Sequence, residues 1–444
     1  MPAQLALIIY LLFILWLFAS DRKLRPMTSN ALWIPLLWIM IIGSRPISLW
    51  LGSGIQIDSP ADYIEGSPLD RNVFLLLIIA GLVVLLRRHL ALGRVFSSNR
   101  WFFVFFLYCL ISIIWSDYPF VSFKRWTKEL GNVVMILVVL TEKNDVQAFK
   151  GMFTRYTNVA IPLSVLFVKY FPDIGRYYNR WTWTPEYCGI TTNKNELGCV
   201  LVISSIFFVW DLIEMRTTGS GKTSKAEWFR RVVLLLMISW LIAETNSSTA
   251  LVTIILGVGI LLYMHRPTAI SQIRYLGTFS IVTGFLILIL YSMPGLLGVL
   301  VRIFGRNMTL TGRTDLWADL LKEPINPLFG TGFQSFWLGP GAQRMWEKYY
   351  FHPNQAHNGY LETYLNGGLV GVGLLIIMII STGNKLKKEL LLGSSGGILR
   401  FSFLYVAVFY NWTEAMFNKL SLVWIALIIA ALSYQRSSTQ DDIR

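Results

Sequence analysis

Long apolar stretches separated by short polar connections run through most of the chain. A hydrocarbon core of about 30 Å takes roughly 20 apolar residues per helix. On that scale the candidate spans lie at approximately 3–19, 31–50, 72–87, 101–115, 130–141, 157–171, 197–213, 231–244, 248–264, 275–300, 359–381, 400–412 and 418–434. The stretch 130–141 is short, and the last two read either as two helices or as one helix interrupted between Asn411 and Asn418. The pattern therefore predicts an all-α integral membrane protein of about 12–13 transmembrane helices. It divides into an N-terminal bundle of about ten helices over 1–301, a long connection over 302–358, closing helices over 359–434 and a tail over 435–444. Connections of that length are usually functional or disordered. This one contains Trp317, Phe333, Phe336, Trp337 and Trp346, so it is predicted to fold, partly as short helices, against one face of the bundle.

Composition narrows the class. Only 14% of the residues are charged and 54% are hydrophobic, whereas soluble domains carry about 25% charged residues. A water-soluble enzyme and a disordered chain are both excluded. The net charge of +14 would point to nucleic acid in a soluble protein, but in a membrane protein surplus Lys and Arg first set orientation. Assigned to alternate connections, the whole surplus falls on one set, which includes Arg22/Lys23/Arg25, Arg87/Arg88, Arg230/Arg231 and Lys385/Lys387/Lys388, while the opposite set balances to zero. The basic set is assigned to the cytoplasm, with the N-terminus outside, the C-terminus inside, and no nucleic-acid partner. The N-terminus lacks a basic n-region and is read as a retained span rather than a signal peptide.

Residues suited to chemistry gather on the uncharged side. His357 stands just before an apolar helix, where it could transfer a proton near neutrality or simply cap the helix at the interface. Arg313 opens a short amphipathic helix in Thr311-Gly312-Arg313-Thr314-Asp315-Leu316-Trp317. A guanidinium beside free helix N–H groups favours a phosphate; the alternative is a loop arginine paired with Asp315 or Asp319. Pro327-Leu328-Phe329-Gly330-Thr331-Gly332-Phe333 reads as a tight turn that positions rather than reacts. Lys124, Arg125, Lys128 and Lys194 could each meet phosphate or snorkel at the interface. Glu414 is either a buried carboxylate, costly and therefore functional, or part of a water-filled outer turn. His352 and His357 make a poor metal pair, and three cysteines support neither a disulfide framework nor a thiolate site, so no metal and no cofactor are expected.

Taken in order, these motifs resemble those of the O-antigen ligase and exopolysaccharide polymerase family. They run from Phe123-Lys124-Arg125 through Thr192-Asn193-Lys194-Asn195-Glu196, Thr245-Asn246-Ser247-Ser248-Thr249, the Arg313 and Pro327–Phe333 segments and His357–Gly371 to Thr413-Glu414. The resemblance is strongest to exopolysaccharide-type members. It implies a multi-pass protein of the bacterial inner membrane whose active site faces the periplasm. The implied reaction moves glycan from a polyprenyl pyrophosphate carrier to a glycan or lipid-linked acceptor. A flippase and a chain-length regulator are the implied protein partners, and membrane lipids the surroundings. Arg313 then matches the arginine that holds the pyrophosphate and His357 the histidine that activates the acceptor hydroxyl. Members place a further cation at the Ser247–Thr249 motif, which this sequence lacks. Lys194, Lys124, Arg125 or Arg306 would have to replace it, with Lys194 preferred. The implied activity is polymerisation of lipid-linked repeat units. Ligation to lipid A core is the alternative. A lipid-linked oligosaccharide transporter is disfavoured, because transporters place ionisable residues inside their spans.

Overall fold

A computed structural model describes residues 1–24, 29–53, 66–178, 184–217, 225–272 and 313–434. Arg306, the candidate span 275–300 and the tail 435–444 lie outside the described residues. The principal helices are α1 (Ala3–Leu24), α2 (Trp33–Ile42), α3 (Pro68–Arg87), α4 (Arg100–Ile111), α5 (Pro119–Leu140), α6 (Asp145–Tyr170), α7 (Lys194–Thr217), α8 (Lys225–Thr245) and α9 (Ser248–Met264). Beyond them come α10 (Arg313–Leu320), α11 (Pro340–Lys348), α12 (Gly359–Leu391), α13 (Ser395–Tyr410) and α14 (Leu422–Ala431). A small antiparallel hairpin, Arg176–Tyr178 with Pro185–Tyr187, stands before α7. The protein is an all-α integral membrane protein. Among the described residues, Pro68–Arg87, Lys194–Arg216 and Gly359–Leu391 are long and apolar enough to cross a bilayer singly. Leu92–Ser98 and Arg100–Trp115 qualify together across a 100° bend, and Ala3–Ala19, Asn30–Ile42, Ser248–Met264, Gly396–Tyr410 and Leu422–Ala431 are shorter apolar helices.

The helix at the bundle centre explains its own composition. All ten residues of α14 are buried, so it is apolar around its whole circumference. It is a separate helix from α13, with the turn from Asn411 to Ser421 between them. At α5 the structure departs from the hydropathy pattern. The helix begins at Pro119, well before the apolar run, and so carries Lys124, Arg125, Lys128 and Glu129 on its first turns. Proline at the first helical position lacks a donor that would be unpaired there anyway, and this lets the helix start among charged residues.

Polar contacts sort the connections into two faces. On one, Glu142 accepts from Ser29 Oγ (2.5 Å) and pairs with Arg88, Lys385 Nζ donates to Asn99 Oδ1 (2.8 Å), and Arg400 pairs with Glu389 (2.7 Å). On the other, Arg45 Nε donates to the Thr191 carbonyl (3.0 Å), Ser48 N to Asp70 Oδ1 (2.9 Å), and Trp115 Nε1 to the Phe329 carbonyl (3.1 Å).

The connection after Arg313 folds around a small core of its own, with Leu316, Leu320, Phe336, Trp337, Met345 and Ala356 buried together. It docks into a break in α12. Gly368 takes a left-handed φ of 61°, and the amides of Leu369 and Val370 donate to the carbonyls of Pro327 (2.9 Å) and Leu328 (3.1 Å). In return the amides of Thr331 and Gly332 donate to the Leu365 and Asn366 carbonyls (3.0 and 2.9 Å). A helix can be interrupted at membrane depth only where other groups take up the freed backbone, and the Pro327–Phe333 turn does so. A Cβ on Gly368 would lie 2.3 Å from the Leu328 backbone, which is why glycine stands there.

Candidate active site

The turn between α13 and α14 is built by Asn411. Its amide donates to the Ala407 carbonyl (2.8 Å), and its Oδ1 accepts from the amides of Met416 (2.8 Å) and Phe417 (2.9 Å). A short amide side chain thereby closes a loop that a helix terminus leaves unsatisfied. The turn is fastened to the start of α12: Gly359 N donates to the Asn411 carbonyl (2.7 Å) and Asn358 Nδ2 to the Trp412 carbonyl (3.2 Å). A Cβ at position 359 would lie 2.2 Å from Asn411 Oδ1. Gly359→Ala is therefore expected to separate the two segments and cost about 1–3 kcal/mol as an overpacked site, read as a lowered thermal midpoint of the purified protein. An unchanged midpoint would show that the turn has slack.

That fastening places Glu414, only 1% exposed, between two residues remote in sequence. Its Oε1 accepts from Arg313 Nη2 (2.9 Å) and its Oε2 lies 3.2 Å from His357 Nδ1. Arg313 Nη1 also donates to the Thr413 carbonyl, and Thr413 Oγ1 meets Thr249 Oγ1 at 3.1 Å, tying the turn to the first turn of α9. Side-chain exposure of 20% for Arg313 and 25% for His357 leaves both open to a ligand while their carboxylate is covered. Burial opposes ionisation of Glu414, but the hydrogen bond with His357 and the Arg313 charge outweigh it and hold the carboxyl below its ordinary range. An ionised Glu414 only accepts. The proton of a neutral His357 therefore sits on Nδ1, and Nε2 is left as a base.

The backbone at His357 is held in the left-handed region, φ 49°, which a non-glycine residue adopts only when its surroundings impose it. Both polar groups of Ala356 are taken: Trp317 Nε1 donates to its carbonyl (2.7 Å) and its amide donates to Glu362 Oε2 (2.8 Å). Glu362 also accepts from Trp337 Nε1 (3.0 Å). Downstream, Asn358 Oδ1 accepts from the amides of Tyr360 and Leu361 (both 3.0 Å), capping α12. His357 is thus pinned from both sides.

Arg313, His357 and Glu414 are brought together; among the described residues, Lys194, Lys124 and Arg125 make other contacts. Arg313 pairs with neither Asp315 nor Asp319. Asp319 is instead occupied by Lys348 (2.6 Å) and the Tyr349 hydroxyl (2.6 Å). Lys194 forms an ion pair with Glu186 (2.6 Å), on the hairpin beside it. Lys124 lies over the Phe120 ring at 5.0 Å. Arg125 Nη1 donates to the Gln334 carbonyl (2.9 Å). The two carboxylate oxygens of Glu414 face Arg313 and His357, one each. Sequence reasoning missed Trp317, Thr249 and Glu362 as supports. Each stands inside or beside a motif already singled out, and only the three-dimensional contact reveals its partner.

Residues 232–376 match the O-antigen ligase family (Wzy_C). Over 306 residues the chain is 25% identical to the exopolysaccharide production protein ExoQ of Rhizobium meliloti (strain 1021), an alignment covering 67% of each protein. The matched family segment contains Arg313 and His357 and stops short of Glu414.

Proposed function

We propose that this chain, which matches the O-antigen ligase family over residues 232–376 and is similar to an exopolysaccharide production protein, is a membrane enzyme of polysaccharide biosynthesis that polymerises repeat units of a secreted polysaccharide while they are linked to polyprenyl pyrophosphate. A hydroxyl of the acceptor glycan attacks C1 of the donor sugar as the bond from C1 to the pyrophosphate oxygen breaks. His357 Nε2 takes the hydroxyl proton, and the polyprenyl pyrophosphate leaves with the bonding pair. Arg313 steadies the charge gathering on that leaving group, and the donor arrives already activated. The observation that carries the reading is the buried Glu414, whose one carboxylate holds a base and a guanidinium side by side. Electrostatic stabilisation of a developing anion and general-base assistance are the two effects this displacement needs. The positive-inside distribution supports a site on the periplasmic side of the inner membrane.

The test is reconstitution. Purified protein in nanodiscs, given polyprenyl-pyrophosphate-linked repeat units alone, is expected to yield a ladder of longer lipid-linked glycans. Deletion in the host should remove long chains and retain single units. Long chains accumulating on the carrier lipid after deletion would overturn polymerisation and favour ligation to a terminal acceptor.

A further inference from the structure

A cavity of about 750 Å³ lies on the same face as the candidate active site, between the helix ends there and the folded connection. Its size falls within the roughly 300–1,000 Å³ of small-molecule sites, with room for an oligosaccharide. Its walls come from the end of α2, the starts of α3, α5 and α7, the connection before α12, and the turn that follows Glu414. Five side-chain amides line it, among them Gln334, Asn354 and Gln355, together with four carboxylates, three cations and Trp337.

That lining is unsuited to a pyrophosphate, which calls for an excess of cations. It suits a polyhydroxylated ligand. An amide group carries both donors and an acceptor and a carboxylate two acceptors, and although several of these side chains also bond within the protein, the set mixes donors and acceptors, as neighbouring sugar hydroxyls require. Position adds a second constraint. Ala415 and Met416, directly after Glu414, line the cavity, as does Gln355, two residues before His357. Arg313 joins the turn through Thr413, on the other flank of Glu414; Arg313, His357 and Glu414 all stand outside the cavity lining, which reaches their neighbours Gln355, Ala415 and Met416. A sugar in the cavity would lie beside the segment that carries His357 without occupying the Arg313 contact.

We propose that this cavity is the acceptor-glycan subsite: it binds the hydroxyl-bearing oligosaccharide, uncharged or weakly charged, that His357 activates. The assignment rests on the transfer reading above. The test uses full-length protein in nanodiscs and oligosaccharides released by partial hydrolysis of the host strain's polysaccharide, followed by titration calorimetry. Wild type should bind. The double variant Asn354→Ala/Gln355→Ala, both positions lying in a loop, should weaken binding about tenfold, as expected for two lost hydrogen bonds. Gln355→Trp, which fills the space, should weaken it at least as much, with thermal midpoints near that of wild type. Arg313→Ala should retain wild-type affinity. No binding by the wild type, unchanged affinity in the cavity variants, or loss in Arg313→Ala alone would overturn the assignment. Binding that follows the cavity variants in a protein that transfers no glycan would support the cavity as a glycan site and count against the transfer reading.

Discussion

His357→Ala is expected to lower the rate of glycan transfer about 10²–10⁴-fold, the range supplied by a positioned general base, and Glu414→Gln should approach the same loss. The second expectation follows from proton placement. Ionised Glu414 can only accept, which fixes the imidazole proton on Nδ1 and frees Nε2. A glutamine at 414 can turn its NH₂ toward Nδ1, moving the proton to Nε2, where it blocks uptake of the acceptor proton while every residue stays in place. The loss should appear in kcat with KM little altered, since the interaction is made in the transition state. The double variant should be scarcely worse than His357→Ala, because the two groups act as a unit. Near-normal turnover by Glu414→Gln would exclude this use of the carboxylate, and multiplicative losses would show that the two residues act separately.

How much of this was legible beforehand follows from the range of each interaction. Apolar periodicity is local, so α7, α9 and the apolar part of α12 can be read from sequence. The early start of α5 cannot, because Lys124, Arg125 and Glu129 look like a polar connection until Pro119 is seen to open the helix. The break at Gly368 is equally hidden, since helical hydropathy continues through it and only docking of the Pro327–Phe333 turn makes the interruption tolerable. Arg313 and His357 stood out by residue type and local setting. Glu414 stood out too, as a carboxylate that is costly if buried, but its part in joining them did not: it is 101 positions from Arg313, and whether it was buried or bathed in water depended on Asn411 closing its turn. Nearest-neighbour reasoning offered Asp315 or Asp319 as partners of Arg313, and the fold gave Asp319 to Lys348 and Tyr349. Lys194 was likewise judged without Glu186, its partner across the hairpin junction.

Arg313→Ala is expected to reduce transfer about 10²–10³-fold, the usual loss when a donor to a developing anion is removed. Arg313→Lys should recover only part of it. A guanidinium carries five N–H donors in a rigid fork. Among the described residues, two are directed at Thr413 and Glu414, and the fork has further donors with which to meet an anion. An ammonium that keeps the Glu414 contact has a point charge and less directed reach. A purely structural role for Arg313 would lower stability without moving the pH profile, and this separates the two accounts. The pKa of Glu414 is held low first by the His357 hydrogen bond and then by the Arg313 charge, against the opposing effect of burial. A depressed carboxylate contributes stability above its unfolded value of about 4.3 and loses it as pH falls through the folded value. Removing Arg313 takes away one lowering cause, so the folded value rises. The acid limb of both the thermal-stability and the pH–rate profiles should then move toward neutrality in Arg313→Ala and stay near wild type in Arg313→Lys. An acid limb that is the same in all three proteins would mean that Arg313 and Glu414 are not electrostatically coupled during turnover.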